Sequence, residues 1–405
     1  MHKASWTLLA ALLACGDGTI GSEVCAGTVC ETVGFQVEAL NVPFKEVPTA
    51  SPSPLPAFTW TLPNPCPDCG EEERAQLFWA GGDRTWNVVR GRAVPVVELI
   101  DAQGVRGPPQ SLELPTGASS LLGAHAAGQS EGTLLMHAIW SQRAGNPLIE
   151  EMVRFSELPV ERSTLRPLVQ TMRQMGAIAG GAGDWLLFEH DLAAGMQATT
   201  LRLLDATGEQ LWLHGKLPKD VPLVGGSAVW TTSQFVLAAR NEAPLYHLMW
   251  FAPTGELQRG TRILSANWRS AQLLDRGQGQ FVAVAQSDLE AGAASGGANE
   301  GNIDVVVFNY GDPRIGWRLR RECIYKLEVY GFAQAQPSGV MFVSSMVGTF
   351  EEPRGLLCRL PGDGGGVARC FQTAPQQRLG SLVAIGPSAV VAELNGDQIV
   401  RIDLP

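Results

Sequence analysis

The sequence predicts an all-β protein, a β-propeller of seven blades with eight as the alternative, closed by N-terminal strands. Three observations carry that prediction. Apolar and β-branched runs of about four to eight residues recur along the chain, punctuated by Gly, Pro, Asn and Asp, with no long helical stripe. The runs fall into two families with a long repeat. Tight turns bearing Gly close one of those families again and again.

The elements follow in chain order. His2 and Lys3 form a basic start and Trp6 to Leu13 a short apolar stretch, too short to span a bilayer as a helix. Residues 1–14 therefore read as an export signal. Leu12-Leu13-Ala14-Cys15 resembles the lipobox of bacterial lipoproteins. That resemblance implies lipidation at Cys15 and a protein held at a cell-envelope membrane, periplasmic or on the cell surface. The alternative is an ordinary secretory signal with an incidental cysteine. Residues 15–70 read as a tether with short strands, since Ser51-Pro52-Ser53-Pro54-Leu55-Pro56 is the composition of an extended linker. Strands are expected there at Gly34 to Val42 and Ala57 to Leu62.

Residues 71–405 form the expected propeller domain. One family of strands centres near Phe78, Leu135, Leu187, Val236, Val282, Phe342 and Val390. The second follows at Leu99, Val153, Leu203, Trp250, Val307, Leu357 and Val400, with steps of 54, 50, 47, 57, 50 and 43 residues between those positions. A near-constant period of this size, with about four short strands per unit, is the pattern of propeller blades. Hairpins follow the second family at Asp101-Ala102-Gln103-Gly104, Asp205-Ala206-Thr207-Gly208 and Ala252-Pro253-Thr254-Gly255. A more polar strand comes next, as at Glu209 to His214. Then comes a Gly, Ala and Ser-rich strand, as at Gly176 to Gly181, Gly225 to Thr231 and Leu379 to Ile385, whose small residues suit the crowded axis. The last unit ends at Leu404 two strands short, so the segment between Gly34 and Leu62 is expected to complete it. A β-sandwich pair or an irregular solenoid is the competing architecture.

Leu204-Asp205-Ala206-Thr207-Gly208-Glu209-Gln210-Leu211-Trp212 resembles the strand-turn-strand core of quinoprotein-type propeller repeats. The resemblance implies that Trp212 is a structural anchor between blades. It also makes the chain similar to lipid-anchored propellers of outer-membrane protein assembly, which bind partners and have no catalytic site.

After Cys15, seven cysteines remain. An exported chain meets an oxidising compartment, so neighbours in sequence are disulfide candidates: Cys25 with Cys30, Cys66 with Cys69, Cys358 with Cys370, leaving Cys323 over. A four-thiolate zinc site built from Cys25, Cys30, Cys66 and Cys69 is the alternative.

Other chemistry-bearing residues are scattered. Gly128-Gln129-Ser130-Glu131-Gly132 matches a nucleophile elbow in letters, but Thr133 to Trp140 reads as a strand where the motif needs a helix. His125, His137, His190, His214 and His247 lack the spacing that places two ligands on one helix face. Gly277-Gln278-Gly279 and Gly362-Asp363-Gly364-Gly365-Gly366 lack the helix and Lys of a phosphate cradle. Asp288, Glu290, Asn299, Glu300 and Asp304 bracket a long insertion, either a calcium loop or a solvated excursion. Eleven tryptophans, among them Trp140, Trp230, Trp250, Trp268 and Trp317, serve either core packing or a ligand-gripping face.

With 30 basic and 40 acidic residues the chain is mildly acidic, which argues against nucleic acid as a partner. No cofactor or resident metal is expected. These features together favour a lipid-anchored binding or scaffolding module for an envelope protein, peptide or glycan, more than an enzyme. An envelope hydrolase or lyase with a site in the central funnel is the alternative, and electron-transfer quinoprotein chemistry a third.

Overall fold

A computed structural model describes residues 19–26, 29–49, 51–64, 76–90, 95–128, 132–142, 149–156, 161–164, 173–181, 184–191, 199–205, 210–214, 226–231, 233–240, 246–254, 257–263, 268–277, 279–288, 301–309, 312–319, 331–335, 338–348 and 351–405. Among them every regular element is a strand.

Five strands come from the N-terminal segment: β1 (Thr19–Ala26), β2 (Val29–Leu40), β3 (Phe44–Val47), β4 (Ser53–Pro54) and β5 (Trp60–Pro63). The remainder run in antiparallel four-stranded units. These are β6 (Gln76–Trp79), β7 (Thr85–Arg90), β8 (Pro95–Ile100) and β9 (Gln110–Ser111); then β10 (Ala118–Gly128), β11 (Leu134–Gln142), β12 (Ile149–Phe155) and β13 (Glu161–Thr164). Next are β14 (Arg173–Gly181), β15 (Asp184–Asp191), β16 (Thr199–Leu204) and β17 (Gln210–His214), followed by β18 (Gly226–Thr231), β19 (Gln234–Arg240), β20 (Tyr246–Phe251) and β21 (Leu257–Ile263). Then come β22 (Trp268–Gly277), β23 (Gln280–Asp288), β24 (Gly301–Asn309) and β25 (Asp312–Leu319), and β26 (Gly331–Gln334), β27 (Met341–Gly348), β28 (Pro353–Leu360) and β29 (Arg369–Gln372). The last three, β30 (Leu379–Gly386), β31 (Ala389–Leu394) and β32 (Gln398–Asp403), take β5 as their fourth strand.

The result is an all-β propeller. First strands of successive units pack on one another, as β14 on β18, β18 on β22, β30 on β6 and β6 on β10. Among the described residues the strands form six sheets, which corrects the expected count of seven or eight blades. The physical reason is the N-terminal hairpin. β1 pairs antiparallel with β17 and β2 parallel with β21, so two four-stranded units are zipped edge to edge into one ten-stranded sheet. The same segment then adds β3 to β25 and β4 to β29, both parallel, before β5 pairs antiparallel with β32. It is a strap laid on the outer edges of consecutive units.

A second correction concerns Phe78. It lies in β6, the first strand of its sheet, whereas the other members of its supposed family lie in second strands. The turn after Trp79, with Gly81 and Gly82 at positive φ, comes before the true second strand β7.

Middle strands are buried on both sides because each sheet is packed between two neighbours, so they read as unbroken apolar runs rather than alternating ones. Val305 and Val307 belong to the core shared with β27 and β28, while Val306 and Phe308 belong to the core shared with β19 and β20. All four are at most 1% exposed. Each such side chain contributes about 1.5–3 kcal/mol relative to exposure. The small residues of first strands have a polar role as well: Ser227 Oγ accepts from the Leu273 amide at 2.8 Å and Ser381 Oγ from the Leu77 amide at 3.0 Å.

Where the chain's two ends meet, the turn after β8 is the anchor. Asp101 Oδ1 accepts from the amides of Gln103 and Val105, and Gly104 takes φ 82°. The Ala102 carbonyl then accepts from Trp60 Nε1 at 2.9 Å and from Arg401 Nη1 at 2.7 Å. A Cβ on Gly104 would stand 3.1 Å from the Trp60 ring, so glycine allows both the turn and the stacking. Below it, buried Glu98 accepts from Asn87 Nδ2 at 2.7 Å and pairs with Arg106 at 3.0 Å, while Arg106 Nη2 also donates to the Pro63 carbonyl.

Candidate functional site: the loop-bearing face and its polar root

Antiparallel connectivity sorts the connections into two sets. Those joining first to second and third to fourth strands lie at one end of the ring; most span few residues, as between β14 and β15, β18 and β19, and β22 and β23. Those joining second to third strands, or one unit to the next, lie at the other end. They include 289–300, 215–225, 320–330 and the passage from β5 to β6. The two faces are therefore unequal, and ligand sites on rigid scaffolds concentrate in connections of the longer kind.

Where β23 ends and β24 begins lies a buried polar cluster whose contacts are described. Register places Trp268, Ser287 and Asn302 side by side on β22, β23 and β24, with Ala285, Asp304 and Arg318 two rows along, on the same face. Asp304 is fully buried. Its Oδ1 accepts from Arg318 Nε at 2.7 Å, and its Oδ2 from Arg318 Nη2 at 3.0 Å and Trp268 Nε1 at 3.1 Å. The Arg318 guanidinium lies 4.1 Å from the centre of the Phe44 ring, which ties the strap to the cluster. This bidentate geometry is the strong form of an Arg–carboxylate pair.

Ser287 Oγ and Asn302 Oδ1 are buried beside this pair with no hydrogen-bond partner among the described residues. Thr261 Oγ1 is a third such atom, on the facing sheet, where Thr261 is opposite Leu248 of the shared core. Buried polar atoms without partners are uncommon, and three at one inter-sheet seam are hydrogen-bonding capacity that the fold does not use. Asp304 is saturated by cationic and indole donors, and Ser287 has no base bonded to it. Among the described residues no group of three His, Cys, Asp or Glu could hold a metal ion.

The structure corrects the calcium-loop alternative at Asp304, which is a strand residue neutralised by Arg318 rather than a loop ligand. Asp288 lies in β23 opposite Gly301, and Glu290, Asn299 and Glu300 fall outside the described residues. Cys358 and Cys370, directly opposite on β28 and β29, form a disulfide. Cys25 lies opposite Cys30 in the backbone register of β1 and β2. Cys15, Cys66, Cys69, Cys323 and Ser130 lie outside the described residues, as does the side chain of Trp212.

The sheet brings His125 opposite His137, a pairing across strands that a search for helical spacing misses. His190, His214 and His247 are apart on β15, β17 and β20. The Gly362–Gly366 segment is a turn, whose Gly362 and Gly364 carbonyls accept from Arg276 Nη2 at 3.2 Å and Lys45 Nζ at 2.5 Å. Burial and the nearby Arg314 lower the Arg276 pKa from its ordinary value. Among the tryptophans with described side chains, Trp140 and Trp268 are fully buried, Trp250 and Trp317 nearly so, and Trp230 lies 4.6 Å from the Phe235 ring.

The polar cluster itself was legible in one respect. Asp304 and Arg318 are charges set inside apolar runs, Ile303-Asp304-Val305 and Trp317-Arg318-Leu319, and a charge buried in a core strand calls for a partner.

Fold and face together define a propeller with one elaborated end. No protein-family model matches the chain, and no curated protein matches it. Solved structures do. A prolyl endopeptidase is similar over 82% of this chain and 47% of its own, at 14% identity and TM-score 0.51, so the chain spans about half of that enzyme's length. A polysaccharide lyase, an ulvan lyase, is similar over 82% of this chain and 92% of its own, at 12% identity and TM-score 0.46. A quinoprotein alcohol dehydrogenase-like protein from Bacteroides thetaiotaomicron is similar over 76% and 69%, at 9% identity and TM-score 0.44. At such identities the likeness is one of fold.

Proposed function

We propose that this chain is a cell-envelope binding or scaffolding propeller, anchored by lipid at Cys15, that presents its loop-bearing face to a protein, peptide or glycan. The observation that carries this reading is the inequality of the two faces, with unused buried hydrogen-bonding groups at the root of the longest connection within a unit. The test is crosslinking in the native cells followed by affinity purification of the full chain, beside a variant in which 289–300 is replaced by a short Gly-Asn turn. A stoichiometric partner lost from the variant supports the reading. A partner retained in full by the variant moves the site elsewhere, and no partner at all removes the scaffold.

The second reading, an envelope hydrolase or lyase acting in the central funnel, draws on the His125–His137 register, because an imidazole is the commonest general base. Turnover of an envelope glycan or peptide by the purified chain, abolished in His125→Gln, would establish it in place of the first.

A further inference from the structure

The ten-stranded sheet needs a joint, since the four-stranded units on either side of it are not paired to each other directly. The joint is the β1–β2 hairpin. Its register runs from Thr19 opposite Gln36 to Ala26 opposite Val29, and within it Cys25 is directly opposite Cys30. Cys25 is also the residue that faces Leu213 of β17, so this cysteine sits at the seam between the hairpin and the ring. Directly opposed residues of an antiparallel pair have Cα atoms about 4.5–5.5 Å apart, within the span a disulfide needs. Cys358 and Cys370 hold the same relation, directly opposed on antiparallel strands, and are bonded.

We propose that Cys25 and Cys30 form a cross-strand disulfide that locks the hairpin as a covalent clip between the β14–β17 and β18–β21 units. Formation removes two protons and two electrons from the thiols and makes one S–S bond. The electrons pass to a thiol–disulfide exchange partner, whose own disulfide is reduced to a dithiol. A two-stranded hairpin is marginal by itself. Here it must hold two outer strands at once, and the cross-link keeps it in register when either edge frays. The clip does not depend on the lipid anchor.

The first measurement is peptide mapping of the full chain without reduction, after alkylation of free thiols. Cleavage after Glu23 and Glu31 releases one fragment containing both cysteines. The proposal expects that fragment to be unalkylated and lighter by two hydrogens. Alkylation of both cysteines, a link from either one to Cys66, Cys69 or Cys323, or a zinc ion retained by the thiols would overturn it. The second measurement is hydrogen exchange on Cys25→Ser/Cys30→Ser. Amides of β1, β2 and the outer strands β17 and β21 should exchange on the order of tenfold faster, while β31 and β32 stay as before. A bond that forms while β17 and β21 exchange unchanged would refute the clip.

Discussion

Asp304 and Arg318 show what a single buried pair demands of its surroundings. The carboxylate has three donors, and removing the guanidinium leaves a charge in a core that has no solvent to receive it. Arg318→Leu is therefore expected to cost about 3–5 kcal/mol by urea unfolding, and Asp304→Leu/Arg318→Leu together markedly less. An additive double variant would show that the two do not act as a pair. Glycine supplies a second contrast. Gly132 has φ 88°, and a Cβ there would meet the Ala80 carbonyl oxygen at 2.7 Å, while Gly82 has φ 59° and open space around the same position. Gly82→Ala should cost about 1–2 kcal/mol, the penalty of the left-handed backbone. Gly132→Ala should cost more by unfolding midpoint, because it adds a backbone clash at the carbonyl-bearing turn where Trp86 Nε1 also bonds Gly132 at 2.8 Å.

At the level of strands, the third-strand family was legible in full: Leu99, Val153, Leu203, Trp250, Val307, Leu357 and Val400 all lie in third strands, because strands buried on both faces leave an uninterrupted apolar signature. Phe78 misled because β6 is short and apolar like a second strand, and local composition does not say which edge of a sheet a strand occupies. Nor could composition reveal that β2, β3 and β4 add in parallel to outer edges, since pairing of that kind leaves no periodicity of its own. The polar root of the candidate site was half legible, as charges within apolar runs, but the partnerless Thr261, Ser287 and Asn302 become visible only through register. Thr59, just before β5, carries a pH prediction. The hydrogen bond from Thr59 Oγ1, 2.5 Å from Asp403 Oδ2, is the main cause holding the Asp403 carboxyl below its ordinary pKa, with Arg401 acting in the same direction. A carboxyl depressed in the folded state stabilises above its unfolded pKa and loses that contribution as pH falls through the folded value. Thr59→Val should thus lower the urea midpoint near pH 6, and the gap from wild type should close in the acid range below ordinary carboxylate titration. A gap that persists unchanged at low pH would assign the effect to packing instead.

For the molecule as a whole, closure joins residues far apart in sequence: the Thr59–Asp403 contact spans 344 positions. Long-range pairing of this kind must offset loop-closure entropy before it is rewarded. The ring therefore depends on closure by the N-terminal segment, with the Ala102 carbonyl, Trp60, Arg106 and Arg401 meeting only when that segment and the last sheet are both in place. The same segment covers the outer edges of β17, β21, β25 and β29, and uncovered edges are templates for pairing with another chain. A chain beginning at residue 71 should accordingly lose more than one strand's worth of stability: its last sheet would have three strands, and four outer edges would be bare. By light scattering it should run as oligomers or aggregate, whereas Trp60→Ala, which removes a partly buried ring and its hydrogen bond to Ala102 but leaves the strap on its other edges, should remain monomeric with a lower unfolding midpoint. A soluble, monomeric chain from residue 71, with unchanged exchange rates in β32, would mean that the repeat units close the ring by themselves and that the strap serves some purpose other than closure.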